Sequence, residues 1–287
     1  MAPVLVTGAT GHVGPLVVAE LLGRGVPVRA LVRDADRAAR TLGPEVALAV
    51  GAFEDPPSLA RAAEGAERMF LLCPNHPEQV EHASAAITAA ADAGVGQIVM
   101  LSTIGAETGS PTVFFDQHGR IEDRLRAAEL PWVVLRSAHL MANVLGSAAT
   151  IREYGRILLP AGEARIAMTD PRDVAAAAGE VLTSRVREGR THLLTGPEAI
   201  TYGEVARRLS EALGRPVEYV PVADGAALAG LAQAGLPSWL AEQVVAVFGA
   251  LRAGAHAAVA DGVRELTGRE PRGIAEFARW ARPLIEG

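Results

Sequence analysis

The sequence predicts an α/β protein in which a doubly wound parallel sheet is followed by a small α+β carboxy-terminal lobe. Three observations predict it. Apolar runs of strand length alternate with helix-periodic segments through the first half of the chain, the order that builds a parallel sheet with helices on both faces. The first run, Val4-Leu5-Val6, passes through Thr7-Gly8-Ala9-Thr10-Gly11-His12-Val13-Gly14 into a segment with Val13, Leu16, Val17, Leu21 and Leu22 on a helical period. The 287 residues suffice for one large domain plus a lobe. We expect residues 1–150 to form the sheet domain, completed by residues 170–197, and residues 151–287 to form mainly the lobe.

The first junction reads as strand, turn and helix. Gly8 permits the tight turn, Gly11 lets backbone approach a pyrophosphate, and Gly14 lets the helix pack closely on the sheet. Thr10, His12 and Val13 complete the turn, and amides at the helix start face an anion with the favourable end of the helix dipole. The spacing is G-x-x-G-x-x-G, one residue longer at the front than the usual dinucleotide fingerprint. The strand before it and the helix after it are what separate it from an ordinary glycine turn.

Gly25 closes the first helix and Val26–Val32 reads as the second strand. Arg33 ends that strand and Asp34 follows. An acidic residue here would grip the ribose 2′-hydroxyl of NAD, and an arginine suits the 2′-phosphate of NADP, because its planar fork donates two hydrogen bonds at once. NADP(H) is therefore preferred, and Asp34 keeps NAD(H) open. The competing reading of Arg33 is a solvated surface charge.

The next elements are a helix near Arg37–Leu42, a strand at Val46–Val50, a turn through Phe53, and a short helix at Ser58–Glu64 with Ser58 as N-cap. Met69–Leu72 forms a fourth strand ending at Cys73-Pro74-Asn75, and an Ala-rich helix spans Val80–Ala93. Gln97–Leu101 is a fifth strand ending at Ser102-Thr103. A helix at His118–Ala128 and a strand at Trp132–Leu135 follow. Ligands of such sheets sit beyond the carboxyl ends of the strands. Those ends, Gly8–His12, Arg33, Leu72–Asn75, Ser102–Thr103 and Arg136–His139, should line one crevice.

Composition narrows the function classes. The net charge of −6 argues against a nucleic-acid partner, which requires a basic face. No apolar run reaches the ~18 residues that span a bilayer, and a first strand at residue 4 leaves no signal peptide ahead of it, so a cytoplasmic location is expected. The single cysteine, Cys73, excludes an internal disulfide framework. His76 and His82 lack a third ligand at useful spacing, so no metal site is expected. All 27 basic residues are arginine. Without a lysine amine there is no Schiff-base chemistry and no lysine-based proton relay.

The segments TGATGHVG (7–14), VRALVR (28–33), GAFEDPPSLARAAEGAERMFLLCP (51–74), AGVGQIVMLST (93–103), HGRIEDRLRAAELPWVVLRSAHLMANV (118–144), DPRDVAAAAGEVL (170–182) and LTGPEAITYGEVARRLSEALGRPVEYVPV (194–222) resemble the NmrA-like, atypical branch of the short-chain dehydrogenase/reductase superfamily. The resemblance covers essentially the whole chain and implies an NAD(P)-binding Rossmann domain with a small carboxy-terminal substrate lobe. It also shows a departure. Where the superfamily usually carries Tyr-x-x-x-Lys this chain has Phe114 and His118, with the family's glutamate at Glu122. The isoflavone-reductase-like relatives place a lysine at the position of His118.

Phe114 has no hydroxyl to give a proton. His118 could hydrogen-bond the nicotinamide ribose or donate a proton, since histidine titrates near neutral pH unaided; the bland alternative is a packing or capping role at a helix start. Ser102 matches the family's strand-end serine and with Thr103 would border the nicotinamide, unless the pair merely ends a strand. His139 and Asn143 lie where a substrate would sit, though a satisfied structural histidine is the competing reading. Phe114, Phe115, Phe248 and Trp239 would line an apolar pocket for a planar ligand or belong to a core. Asp170 and Asp173 read as helix N-caps.

The second half predicts short strands at Ile157–Leu159, Ala164–Met168 and Glu218–Val222. Helices are expected at Val174–Leu182, Tyr202–Leu213, Ala226–Ala234, Leu240–Leu251 and Ile274–Ile285. The stretch Gly225–Gly254 is a pocket wall or lid, or a dimer face in a chain expected to be a monomer or homodimer. Three functions fit these residues. The first is an NADPH-dependent reductase of a small planar acceptor such as a quinone or enone, in which the cofactor carries the hard chemistry. The second is a non-catalytic NADP(H) sensor of the NmrA type, which the missing Tyr/Lys pair favours. The third, a sugar-nucleotide epimerase or dehydratase, normally uses that missing pair and ranks last.

Overall fold

The computed structural model describes residues 2–184 and 188–287. The sheet half contains β1 (Val4–Val6), α1 (Gly14–Gly23), β2 (Val28–Val32), α2 (Ala35–Leu42), β3 (Ala47–Val50), α3 (Pro56–Ala63), β4 (Arg68–Leu71), α4 (Gln79–Asp92), β5 (Ile98–Thr103), α5 (Val113–Arg126) and β6 (Trp132–Ser137). A 3₁₀ turn at Met141–Ser147 leads to α6 (Ala148–Tyr154), β7 (Arg156–Leu159), α7 (Pro171–Thr183) and β8 (Arg190–Leu194). The chain then forms α8 (Tyr202–Leu213), β9 (Glu218–Pro221), α9 (Asp224–Gln233), α10 (Ser238–Arg252), α11 (Gly262–Thr267) and α12 (Ile274–Glu286).

Among the described residues seven strands form one parallel sheet in the order β3-β2-β1-β4-β5-β6-β8. The order reverses between β1 and β4, the switch point at which such sheets open a crevice. Alternation along the strands feeds two cores. Val4, Val6, Ala30, Phe70, Val99 and Leu135 face α1, α7 and α11. Leu5, Leu31, Met69, Leu71, Met100 and Val134 face α3, α4 and α5. A third core, with Ile157, Ile166, Tyr202, Leu209, Phe248 and Phe277, belongs to the lobe built from α6, α8, α10, α12 and the β7–β9 ribbon. The α7 and α11 helices and β8 return from the later chain to the sheet.

Four local expectations change. The α5 helix starts at Val113, not His118, so His118 sits one turn inside it and has no role at a helix start. Within α5, Gly119 is a position of close backbone approach. A Cβ there would fall inside contact distance of Glu107 and Thr108 backbone, so this glycine lets the loop before α5 cross the helix. Ser58 is not the cap of α3, whose N-cap is Asp55. The Ser58 hydroxyl instead donates to Asp55 O (2.7 Å) and accepts from Ala52 N–H (3.1 Å).

Ala164–Met168 makes only an isolated antiparallel bridge, Ile166 to Ile200. The unforeseen strand is β8. It runs along the sheet edge with mostly exposed side chains and therefore lacks an apolar alternation. Asp170 does cap α7, accepting from Arg172 N–H (2.9 Å). Asp173, inside the first turn, instead accepts from Arg272 N–H (2.7 Å) and pairs with the Arg272 guanidinium.

Candidate active site

The turn after β1 is fixed from two sides. The buried Thr7 hydroxyl donates to Leu72 O (3.1 Å) and accepts from Leu72 N–H (2.9 Å), which clamps β1 against the end of β4. Gly8 has φ +62, and a Cβ on it would stand 2.8 Å from Leu72 Cγ. A Cβ on Gly14 would fall inside contact distance of Gly8 O and lie 2.6 Å from Ala9 Cα, so the helix starts directly against the turn. Gly11 differs, since its nearest neighbour would be Gly8 O at 3.5 Å and the residue is exposed together with Thr10 and His12. At the start of α1, Val13 offers no side-chain cap and Pro15 has no N–H. The Leu16 and Val17 N–H groups donate to Val13 O (3.1 Å each), so the N–H groups of Val13 and Gly14 are the ones left to face an anion.

Beside this turn Arg33 is exposed, and among the described residues no hydrogen bond or ion pair engages its guanidinium. Asp34 is already committed, because its carboxylate accepts from Arg37 N–H (2.9 Å) as the N-cap of α2. The ambiguity between the two neighbours narrows accordingly. One is free for a ligand and the other holds a helix.

Phe53 and Leu72 are half-buried, Pro74 and Asn75 are exposed, and Cys73 is buried at the end of β4. Burial, helped by Glu54, pushes the Cys73 thiol up to about 12, which leaves it without thiolate character at neutral pH.

The ends of β5 and β6 carry a buried charge cluster. Glu122, fully buried on α5, takes Arg136 Nε (2.9 Å) and Nη2 (2.7 Å), Arg126 Nη2, and the Ser102 hydroxyl (2.6 Å). Ser102 thus donates inward, which leaves its oxygen lone pairs as the groups it can present to a ligand. Thr103 donates to Ile104 O (3.2 Å). His118, four residues before Glu122 on α5, is half-buried, and its Nδ1 is buried without a partner among the described residues. Burial pushes this imidazole down to about 4, with Glu122 opposing the shift and Arg136 adding to it. His118 is therefore neutral near pH 7, outside the range in which an unshifted histidine switches.

Ring contacts and hydrogen bonds engage each of the residues expected on the substrate side. The Phe114 ring meets Trp239 of α10 edge-on at 5.8 Å. Phe115 stacks on His256 at 5.7 Å, and His256 Nδ1 accepts the His139 N–H (2.9 Å). His256 Nε2 lies 2.8 Å from Ile104 O and must carry the proton; burial also lowers the pKa of this ring. His139 Nε2 lies 2.9 Å from the Tyr202 hydroxyl, Asn143 Nδ2 lies 3.2 Å from His139 Nδ1, and Phe248 packs on the same ring. Burial pushes His139 down to about 3 and raises Tyr202. His256 and Tyr202 were not singled out by sequence. The only signal for His256 was a lone histidine in an Ala/Gly-rich stretch.

The expectation that His76 and His82 lack a third ligand is overturned. The fold brings Glu78 between them, with its carboxylate 4.0 Å from His76 Nδ1 and 3.8 Å from His82 Nε2. Glu78 and His82 are one helical turn apart, and the loop before α4 folds His76 back to meet them.

Comparison with known proteins agrees with this architecture. The NmrA-like family model matches residues 2–278. The NAD(P)H azoreductase of Xenophilus azovorans is 36% identical over 276 residues, covering 96% of each chain. The (4-alkanoyl-5-oxo-2,5-dihydrofuran-3-yl)methyl phosphate reductase of Streptomyces griseus is 38% identical over 284 residues, covering 99% of this chain and 98% of the relative. The crystal structure of the Escherichia coli NADPH-dependent quinone oxidoreductase QOR2 complexed with NADPH superposes with a TM-score of 0.84 at 27% identity, over 96% of this chain and 98% of that one. The α/β fold with its parallel sheet, the glycine turn at the switch point and the full-length match together establish that this chain belongs to the NmrA-like family.

Proposed function

We propose that this chain is an NADPH-dependent oxidoreductase that passes hydride to a small, planar, electron-poor acceptor of the quinone or enone class. The observation that carries the reading is the open cradle at the switch point. Gly11 leaves room for a phosphate, Arg33 has no partner among the described residues, Asp34 is occupied, and a buried His118 nitrogen waits for a hydrogen-bonding group. Together these residues fit a 2′-phosphorylated dinucleotide. The similar azoreductase, dihydrofuranone reductase and quinone oxidoreductase all reduce conjugated acceptors, which supports the same class here.

Bound NADPH would supply the hydride. The turn over residues 8–14 would hold the pyrophosphate through backbone amides, and Arg33 would take the 2′-phosphate. Ser102, its proton held by Glu122, would accept a hydrogen bond from the cofactor, with Thr103 beside it. His118, a neutral imidazole, would position a ribose or acceptor oxygen through Nδ1 without switching its charge. Phe114 and Trp239 would offer ring surface to a flat acceptor, with Phe115, His139 and Asn143 as further substrate-side residues. The reduced acceptor takes its proton from solvent, which conjugated acceptors permit because the charge delocalises over their oxygens or nitrogens.

The test is a pair of measurements. Fluorescence titration is expected to show tighter binding of NADPH than NADH, and Arg33→Ala is expected to remove that preference, a change of roughly tenfold or more for a lost charge-assisted pair. Stopped-flow oxidation of bound NADPH by a panel of quinones and enones is expected to show turnover. Equal affinity for the two nucleotides would overturn the Arg33 assignment. Turnover with no acceptor would favour the second reading, an NADP(H) sensor. The absence of a tyrosine and lysine at positions 114 and 118 gives that reading its specific support.

A further inference from the structure

Where β4 ends, the chain runs Cys73-Pro74-Asn75-His76-Pro77-Glu78 before α4 begins. This loop is held on both sides. Gln117 Nε2 of α5 donates to His76 O (2.9 Å) and Pro77 O (3.1 Å), and Gln79 Nε2 donates to Cys73 O (3.2 Å). Three possible ligand atoms converge on its outer face. Glu78 Oε2 lies 3.8 Å from His82 Nε2 and 4.0 Å from His76 Nδ1, and all three fall within 4.8 Å of one another. The two imidazole centroids are 4.8 Å apart.

His82 makes the cluster more than a surface ion pair. The residue is only 6% exposed and the Phe53 ring lies 6.4 Å from its own. No hydrogen bond engages its ring nitrogens among the described residues, and the Glu78 carboxylate it faces stands beyond hydrogen-bond range. Its ring nitrogens therefore stay available to water or to a ligand that enters among the three side chains.

We propose that His76, Glu78 and His82 bind a divalent transition-metal cation of the zinc class, through two imidazole nitrogens and one carboxylate oxygen. Two imidazoles and a carboxylate suit zinc, copper or nickel better than magnesium or calcium, which take oxygen ligands. Metal–ligand bonds near ~2.1 Å in a tetrahedral site put ligand atoms about 3.4 Å apart, so side-chain rotations of under about 1 Å close this cluster. His76 gives up its contact with the Glu78 N–H (3.1 Å) to do so. Water completes the coordination.

The test uses the full chain freed of any affinity tag, stripped with EDTA and desalted. Zinc chloride is titrated against a chromogenic chelator that competes for it, and cobalt(II) absorption reports the coordination geometry. The expected result is one equivalent of zinc per chain and intense visible cobalt bands. His76→Ala, Glu78→Gln and His82→Asn should each weaken binding by roughly tenfold or more. His76 and Glu78 are solvent-accessible, so those two variants keep the fold even if the buried His82 variant does not, and metal-free thermal melts check this. Failure to take zinc from the competitor would overturn the proposal. Stoichiometric binding that survives His76→Ala and Glu78→Gln unchanged would overturn it equally, by placing the metal at other histidines.

Discussion

The two halves of the crevice are built on opposite rules. Around β1 and β2 the groups facing the cleft are exposed or unpartnered, namely Gly11, His12, Arg33 and the uncapped start of α1. Around β5, β6 and α5 the polar groups are buried and engage one another, as Ser102 does with Glu122, Glu122 with two arginines, and His139 with Tyr202. Backbone geometry prepares the first half for a ligand, whereas the second half is fixed by its own network before any ligand arrives. His118 is the exception that links them, since it stands on the networked side with a nitrogen left over.

Removing the charge at the centre of the network is the strongest way to break this contrast. Glu122→Gln leaves Arg136 without its carboxylate, and Arg126 with only Asp123, beside a fully buried position. Loss of one partner from a buried pair costs about 3–5 kcal/mol. Urea denaturation should therefore show a large fall in midpoint, with the slope unchanged if the fold persists. Loss of less than about 1 kcal/mol, the range of an exposed pair, would mean that the cluster is solvated and the network is not what fixes this side.

A smaller and more selective effect is expected on the open side. Gly14→Ala drives a methyl into Gly8 and Ala9 backbone, which cannot yield as a side chain could. Overpacking of this kind costs about 1–3 kcal/mol, so both the melting temperature and NADPH affinity should fall. Gly11→Ala meets only Gly8 O at 3.5 Å and has no positive φ. It should keep the parent melting temperature while weakening NADPH binding, because its methyl points into the space a phosphate needs. Equal melting losses for the two variants would erase the distinction between a packing glycine and a ligand-facing one.

The same contrast explains what could be read from the sequence. The first strand, turn and helix are contiguous, and each glycine answers a local demand, so the open half was legible in eight residues. The networked half is assembled from afar. His139 meets a histidine 117 residues later, and Glu122 reaches a serine 20 residues earlier and an arginine 14 residues later. No local period records such meetings. The strand β8 was hidden because an edge strand needs no apolar alternation. Glu78 escaped notice as a ligand because its pairing with His76 depends on how the loop enters α4.

The smallest expected effect sharpens the comparison at His118 itself. Its folded pKa near 4 lies below the value of about 6.5 for an unfolded chain. As pH falls below about 6.5 the unfolded chain binds a proton that the folded chain refuses, so this histidine lowers stability on acidification. The slope approaches about 1.4 kcal/mol per pH unit and ends near the folded pKa. His139 contributes in the same direction over a window reaching about 3, and it is present in both proteins compared. His118→Asn should therefore flatten the stability curve between pH 6.5 and 5.5 by at most about 1.4 kcal/mol and leave the remaining acid sensitivity intact. Hydride transfer in the parent should show no titration near pH 6.5 that disappears in His118→Asn, since a neutral imidazole positions without switching. If such a titration does appear and vanishes with the histidine, His118 is an acid in the reacting complex, and the crevice then contains a proton donor that its unliganded geometry keeps neutral.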